Sequence, residues 1–231
     1  MTSTRLNRLR SNRTVLAYLV LALLVVAFLV VSGYLALRLA GVQEEGIVLE
    51  QVSVDTTIDL HTPRPTKDEI LNWQVPAEYP RFLSIEVIGL GRTRVESVGR
   101  TSTNKIDIPV NIWNAAWYNR SALPGTAGAG VYDCHTFFGS GVKGVCDDLK
   151  NLKNGDEIVI ERGDGVKYVY KTVEIKNMAV EEANSYMHSL LSVPEGYGAT
   201  QSITLITCAG NFSMETMTSD RRVTIRAILA R

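Results

Sequence analysis

The chain has 231 residues, 45% of them hydrophobic, with 24 basic and 24 acidic side chains. That length is sufficient for one membrane anchor and one domain with a substantial core. Five of the basic residues precede the first acidic residue, Glu44, so the rest of the chain is mildly acidic. Because it has no basic patch, we expect no nucleic-acid partner, and the absence of a GxxxxGK[ST] run gives no support for phosphate binding.

The N-terminal region has the pattern of a membrane anchor. Four arginines lie within residues 1–13, and residues 15–37 contain no charged side chain. A helix of that length spans roughly 34 Å, more than the ~30 Å hydrocarbon core of a bilayer. A cleaved signal peptide usually has a shorter apolar region and a small-x-small site, which is not evident here. We therefore expect a cytoplasmic segment over 1–13, a single transmembrane signal-anchor helix over 14–40 and an extracellular remainder.

The exported part divides into a linker and a strand-rich domain. Residues 41–80 mix charge, threonine and proline without a sustained helical period, which predicts an extracytoplasmic linker with a short helix near 66–74. Residues 81–231 are dominated by short runs of β-branched and aromatic residues. They form the expected folded domain.

Alternating hydrophobicity predicts two hairpins in this domain. The first joins "RFLSIEVIGL" to "RTRVESVG", and the second joins "DEIVIER" to "VKYVYKTVEIK" through an Asp-Gly turn. "SITLIT" and "RRVTIRAIL" are further strands, and short helices are expected near 113–120 and 179–191. Many short strands with one or two small helices predict a mainly β fold, a closed or nearly closed barrel.

The chain has three cysteines, Cys134, Cys146 and Cys208. Outside the cytoplasm two thiols can pair, and Cys134 and Cys146 are candidates for a disulfide because they lie twelve residues apart around a glycine-rich loop. Cys208 then remains a spare thiol at the end of a strand. It is either a small buried hydrophobe or a nucleophile.

Two further residue types suit thiol chemistry. His135 follows a predicted strand end, and a histidine near a thiol can accept and return its proton. Arg221 and Arg222 open the last strand, where alternation allows only one of them to face the thiol and bind an oxyanion. Asp133 either hydrogen-bonds His135 or faces solvent. The cysteines and histidines lack zinc-ligand spacing, so we expect no metal and no cofactor.

"TLITC", residues 204–208, resembles the TLxTC signature of the sortases, the membrane-anchored cysteine transpeptidases of bacterial surfaces. Other segments resemble the family in the expected order over about residues 80–231: "PRFLSIEVIGL", "AAWYNRSALPGTAGAGV", "LKNLKNGDEI" and "RVTIRAIL". The details are most similar to the class E/F housekeeping branch. One departure is "DCH", in which Cys134 occupies the position of the usual glycine before the histidine.

The resemblance implies a closed eight-stranded sortase-type β-barrel and a role for each matching residue. Cys208 matches the nucleophile, His135 the general acid and base, and Thr207 the threonine that shapes the substrate groove. Arg222 fits the family arginine because Ala227 follows it by five residues, although counting from the cysteine gives Arg221 in some members. The family places recognition of the sorting signal in the region of residues 177–201.

The implied reaction cleaves an LPxTG-like sorting signal of an exported protein between Thr and Gly. A thioacyl enzyme forms, and its acyl group passes to an amino group of a cell-wall precursor. The alternative from a different class is a non-catalytic extracellular β-barrel that binds a partner. That alternative predicts a buried, unreactive Cys208 with His135 and both arginines lying elsewhere.

Overall fold

In the computed structural model of this chain, residues 48–49, 62–136, 143–216 and 218–230 are described. The predicted cytoplasmic segment and transmembrane helix lie outside these residues. No helix within the described ranges is long and apolar enough to cross a membrane.

The elements of these ranges are mostly strands. In chain order they are β1 (Val48–Leu49), α1 (Lys67–Leu71), β2 (Pro80–Ile85), β3 (Leu90–Val98), β4 (Lys105–Ile106), β5 (Ala115–Tyr118), β6 (Gly128–Cys134), β7 (Glu157–Arg162), β8 (Lys167–Ala179), α2 (Val180–Ser185), α3 (Met187–Leu190), β9 (Gln201–Ser213) and β10 (Thr218–Leu229). Short 3₁₀ helices span Glu86–Ile88 and Asp147–Asn151.

Eight of the strands close into a barrel in the order β10-β8-β7-β2-β3-β5-β6-β9. The neighbours β3 and β5, and β6 and β9, run parallel, and the other neighbours run antiparallel. Closure leaves no unpaired sheet edge in the barrel itself. β1 and β4 form a separate two-stranded parallel sheet. The predicted mainly β closed barrel is therefore confirmed.

Alternation along the strands produces two apolar clusters on opposite faces of the barrel wall. The inner cluster fills the barrel, and its β10 members are Val223, Ile225 and Ala227. The outer cluster lies under α2 and α3, and consists of Ile106, Tyr118, Val131, Met178, Ala183, Met187, Leu190 and Ile206. The Thr204 hydroxyl donates to the Leu190 carbonyl over 2.7 Å and ties α3 to β9. The helices thus cover one part of the outer face beside the functional groove described below.

The predicted helix over 113–120 is wrong, because the structure places β5 there. All four residues of β5 are buried, since it runs between β3 and β6 in the barrel wall. A short strand with neighbours on both sides need not alternate in polarity, and its two alanines resemble a helix in sequence.

The predicted helices near 66–74 and 179–191 do form, as α1 and as α2 with α3. α1 begins with a capping box in which Thr66 and Glu69 satisfy each other's backbone N–H groups. The first hairpin also forms, but its turn differs. β2 ends at Ile85, the 3₁₀ helix follows, and Gly89 closes that helix at a φ of 71°.

Candidate active site

Cys208 lies within β9 rather than at its end, which corrects the sequence prediction. The pairing of β9 with β6 ends at Ile206, whereas its pairing with β10 continues to Ser213 as a projecting hairpin. Cys208 is therefore located where the barrel wall ends and the hairpin begins. It is a free, half-buried cysteine.

Arg222 is the residue directly opposite Cys208 on β10. Its side chain is buried, with 3% of the residue exposed, and hydrogen bonds to neighbouring residues of β10 hold it. Nη1 donates to the carbonyls of Ser219 and Arg221, each over 2.9 Å, and Nη2 donates to the Thr218 hydroxyl over 2.9 Å. These bonds fix a positive charge beside the thiol.

Arg221 has a different environment. Its side chain is bound to Asn177 on β8, with Nε donating to Oδ1 over 2.7 Å and Nη2 to the carbonyl over 2.6 Å. The structure therefore brings Arg222, and not Arg221, to the face of the hairpin that carries the Cys208 side chain.

His135 is the first residue after β6 and is buried. Its Nε2 lies 2.8 Å from the Pro109 carbonyl oxygen. Since a carbonyl only accepts, this contact assigns the ring proton to Nε2 and makes Nδ1 the acceptor of the neutral ring. The disulfide between Cys134 and Cys146, together with a 2.9 Å bond from the Cys146 N–H to the His135 carbonyl, holds the backbone on both sides of the imidazole.

One groove on the outer face brings these side chains together. It is lined by His135, Cys208 and Arg222 together with Val98, Ile106, Asp107, Ile108, Ala116, Tyr118, Val131, Asp133 and Ile206. Asp133 is half-buried and lines this groove. Several apolar members also belong to the outer cluster under α2 and α3, which couples the groove to residues 177–201.

Thr207 does not line that groove. Its side chain points to the other side of β9, where the hydroxyl donates to the Cys134 carbonyl over 2.5 Å. A second bond lies further along both segments, where the Thr136 hydroxyl donates to the Cys208 carbonyl over 3.1 Å. The two bonds join the histidine-bearing segment to the cysteine-bearing strand and fix their relative position.

The environment favours the neutral forms of both titratable side chains. Burial raises the pKa of the Cys208 thiol, while the Arg222 charge opposes that shift and the Asp133 charge adds to it. Burial also lowers the pKa of His135, against the contact with the Pro109 carbonyl. At neutral pH the resting pair is therefore mostly thiol and imidazole, and only a minor fraction exists as thiolate and imidazolium.

Thr218 is a site residue that the sequence prediction missed. Its buried hydroxyl accepts from Arg222 and also hydrogen-bonds Cys208, and the Ser219 backbone makes a further bond to the thiol. Both bonds lower the thiol pKa. Thr218 and Arg222 are four residues apart on β10 and therefore lie on the same face of the strand. This spacing could have identified Thr218 from the sequence only if β10 had been known to begin there.

Comparison with known proteins gives a family match. The sequence matches the model described as "Sortase domain" over residues 83–230, well over half of the chain. No curated protein matches it significantly.

The solved structures to which this chain is similar include sortase E1 from Streptomyces coelicolor, which is 20% identical with a TM-score of 0.49, covering 68% of this chain and 91% of the other. A sortase D5 transpeptidase from Clostridium perfringens is 19% identical with a TM-score of 0.47, covering 72% and 90%. The SrtA sortase from Actinomyces oris is 20% identical with a TM-score of 0.47, covering 68% and 83%.

Proposed function

This chain belongs to the sortase family, and we propose that it is a cysteine transpeptidase that cleaves an LPxTG-like sorting signal between Thr and Gly. The observation that carries the proposal is the grouping of Cys208, its strand partner Arg222 and His135 along one groove. A nucleophile, a fixed cation and a proton carrier in one cleft are the parts that acyl transfer through a thioester requires. The sequence resemblance supports assigning the chain to the class E/F housekeeping branch.

In the first step, Cys208 passes its proton to His135 and its sulfur attacks the carbonyl carbon of the sorting-signal threonine. The guanidinium of Arg222 stabilises the oxyanion that develops, because its position is already fixed by hydrogen bonds to Thr218 and Ser219. The imidazolium then protonates the leaving glycine amine as the C–N bond breaks. The products of this step are a thioester on Cys208 and a neutral His135.

In the second step, an amino group of a peptidoglycan precursor attacks the thioester carbonyl. His135 accepts a proton from the amine, the C–S bond breaks, and the thiolate recovers that proton. Water as the acceptor would give hydrolysis instead. The net result is one peptide bond broken and one formed, with no oxidation, reduction or cofactor.

The proposed cellular arrangement follows from the N-terminal sequence. The helix over 14–40 would hold the chain in the cell membrane, with 1–13 in the cytoplasm, a linker over 41–80 and the catalytic domain 81–231 outside. There the enzyme would meet exported substrates and lipid-linked precursors. Proteolysis of intact protoplasts expressing a C-terminally tagged chain should remove the tag, and protection of the tag would contradict this orientation.

The decisive experiment uses the purified full-length chain, LPxTG-like peptides and a glycine-based amine. Mass spectrometry should detect cleavage between Thr and Gly, an amine-capped product and an acyl adduct on Cys208. The variants Cys208→Ala and His135→Ala should give no capped product.

The competing function, a non-catalytic binding module, predicts a different outcome. In that case no peptide would be cleaved, and Cys208 would resist alkylation in the folded chain. The grouping of three reactive side chains favours transpeptidation over that module, and cleavage without dependence on Cys208 would contradict both.

A further inference from the structure

A second cavity, of about 150 Å³, lies between β3 and the segment that leads into α1. It shares no lining residue with the active-site groove. Its charged lining side chains are Arg64, Arg92 and Arg94, and no carboxylate is among the described residues that line it. Apolar side chains, including Ile70 and Val145, complete the wall. The cavity therefore has the charge expected of an anion-binding site.

Arg92 and Arg94 are two residues apart on β3, so their side chains lie on the same side of the strand. Nη2 of Arg92 pairs with the Glu161 carboxylate, and 41% of the Arg92 side chain remains exposed. The Lys167 ammonium lies 3.9 Å from the other oxygen of the same carboxylate. Since two cations share one carboxylate, the positive charge of Arg92 is only partly balanced.

Arg94 is held by neutral groups. Its Nε donates to Oδ1 of Asn114 over 3.0 Å, and its guanidinium carbon lies 5.1 Å from the centroid of the Trp73 ring. Hydrogen bonds from Thr66, and to a smaller extent the Arg94 charge, lower the pKa of Glu69, whose carboxylate is bound to Thr66. Nη1 and Nη2 of Arg94 make no hydrogen bond to a described residue. These two groups are therefore available to a ligand.

Arg64 belongs to the segment that precedes α1, and it is exposed. Its guanidinium carbon lies 5.4 Å from the centroid of the Trp113 ring. Nε1 of Trp113 donates to the Thr62 carbonyl over 3.0 Å, which ties this segment to the loop before β5. Arg64 makes no ion pair with a described residue, so its charge is not neutralised there. The aromatic ring thus positions a third guanidinium at the cavity.

We propose that this cavity binds a phosphate group, as a pyrophosphate or a phosphodiester, through Arg64, Arg92 and Arg94. Guanidinium groups bind phosphate oxygens through paired hydrogen bonds, and three of them suit an anion with several oxygens better than a single carboxylate. The apolar part of the wall suits an organic group attached to the phosphate. Because Arg64 belongs to the linker predicted over 41–80, an occupied site also joins that linker to β3. This inference does not depend on the proposed function.

Isothermal titration calorimetry of the purified full-length chain in a neutral detergent tests the proposal. The soluble ligands are pyrophosphate, glycerophosphoglycerol, which is the headgroup of an anionic lipid, and succinate, a dicarboxylate. We expect pyrophosphate to bind at least tenfold more tightly than succinate, and its affinity to fall as salt is raised. Arg64→Gln and Arg94→Gln should each weaken pyrophosphate binding by about fivefold or more. Arg120→Gln is the matched control, because it removes the same charge from an exposed position outside the cavity and should leave binding unchanged.

The arms of this experiment give distinct outcomes. Glycerophosphoglycerol affinity within tenfold of the pyrophosphate affinity would support the site and identify a lipid headgroup as the source of the phosphate, whereas weaker binding of that headgroup would support a soluble phosphate. Cys208→Ala should bind pyrophosphate as the unaltered chain does, since the thiol does not line this cavity. Arg64→Gln keeps the test decisive if Arg94→Gln does not fold, because Arg64 lies outside the helices and strands. Equal affinity for succinate, no binding of either phosphate ligand at millimolar concentration, or unchanged binding in Arg64→Gln would overturn the inference.

Discussion

The Cys208 thiol is surrounded by groups with opposing effects on its pKa. Burial and Asp133 raise that pKa, whereas Arg222, the Ser219 backbone and the Thr218 hydroxyl lower it. Thr218 contacts both the thiol and the guanidinium, so it links the nucleophile to the cation. It acts through these two side chains, as a positioning residue.

We expect Thr218→Val to raise the thiol pKa and so to reduce the thiolate fraction at a given pH. The rate of Cys208 alkylation at pH 8 should fall about fivefold, since one hydrogen bond is worth about 1 kcal/mol. Measuring the alkylation rate against pH tests this, and Thr218→Ser should restore most of it. Thr224→Val is a matched control, because Thr224 is buried on β10 and its hydroxyl has no hydrogen-bond partner among the described residues. An unchanged alkylation profile in Thr218→Val would contradict the assigned role.

The two adjacent arginines permit a second prediction at this scale. Arg222→Lys should lower kcat for peptide transfer by about a hundredfold or more, because a lysine cannot reproduce the fixed guanidinium that faces the oxyanion. Arg221→Lys should change kcat by less than about threefold, since its half-buried side chain binds Asn177 rather than the thiol face of the hairpin. Peptide transfer assays with both variants measure this directly. A larger loss with Arg221→Lys would reverse the assignment.

At the scale of elements, the disulfide is the feature that holds the end of β6. It closes a loop between Cys134 and Cys146, and both residues are buried in the inner cluster. His135 lies immediately after the first of them, so this covalent link also restricts the backbone that carries the imidazole. Hydrogen bonds from Cys146 to His135 and from Thr207 to Cys134 reinforce it.

Loss of this disulfide should lower the free energy of unfolding by about 3 kcal/mol, the value typical of a loop of this length. Urea denaturation with and without reductant measures this difference in the free energy of unfolding. The experiment uses a Cys208→Ala background, in which Cys134 and Cys146 are the two remaining cysteines of the chain. The double variant Cys134→Ala/Cys146→Ala provides the reference and should not respond to reductant. Equal stability of the oxidised and reduced chains would show that the hydrogen bonds alone hold the segment.

Sequence patterns predicted the elements whose local preferences agree with their tertiary surroundings. The second hairpin, β7 and β8, alternates clearly and has an Asp-Gly turn, so period and turn chemistry agree. β5 was missed because its burial depends on parallel pairing with β3, a contact distant in sequence that no local period encodes. The extension of β9 beyond Cys208 was missed for the same reason, since it depends on pairing with β10.

The candidate site residues also divide into those that local sequence patterns identify and those that depend on contacts between distant strands. Cys208, His135 and Arg222 were identified from motif spacing and from strand alternation, which are local properties. Thr218 and Asp133 depend on the register between strands. The register of the β9–β10 pairing shifts between Ser219 and Arg221. Counting back from the Arg222–Cys208 pair therefore does not give the residue of β9 that pairs with Thr218. The sequence already singled out Asp133 beside His135, but its place in the groove next to Cys208 follows only from the pairing of β6 with β9.

At the scale of the whole molecule, two titratable groups of the site, buried His135 and half-buried Cys208, make the fold's stability depend on pH. The pKa of His135 is lowered in the folded chain, so in mild acid the unfolded chain binds more protons than the folded one. The pKa of Cys208 is raised, so in alkali the folded chain retains a proton that the unfolded chain has lost. Both effects make the folded chain most stable at pH values between the mildly acidic range and the alkaline range.

We therefore expect the free energy of unfolding to fall as pH drops below about 6.5, the ordinary histidine value, and to fall again as pH rises past about 8.5, the ordinary thiol value. Urea denaturation at half-unit intervals from pH 5 to 10 measures both limbs. Cys208→Ala should reduce the alkaline slope, and the part that remains is assigned to Tyr132 and Tyr170, whose pKa values are also raised by burial. His135→Gln should reduce the acid slope. If neither substitution changes its slope, the thiol and imidazole titrate in the folded chain as they do in the unfolded one, and the neutral resting pair assigned to this site would be wrong.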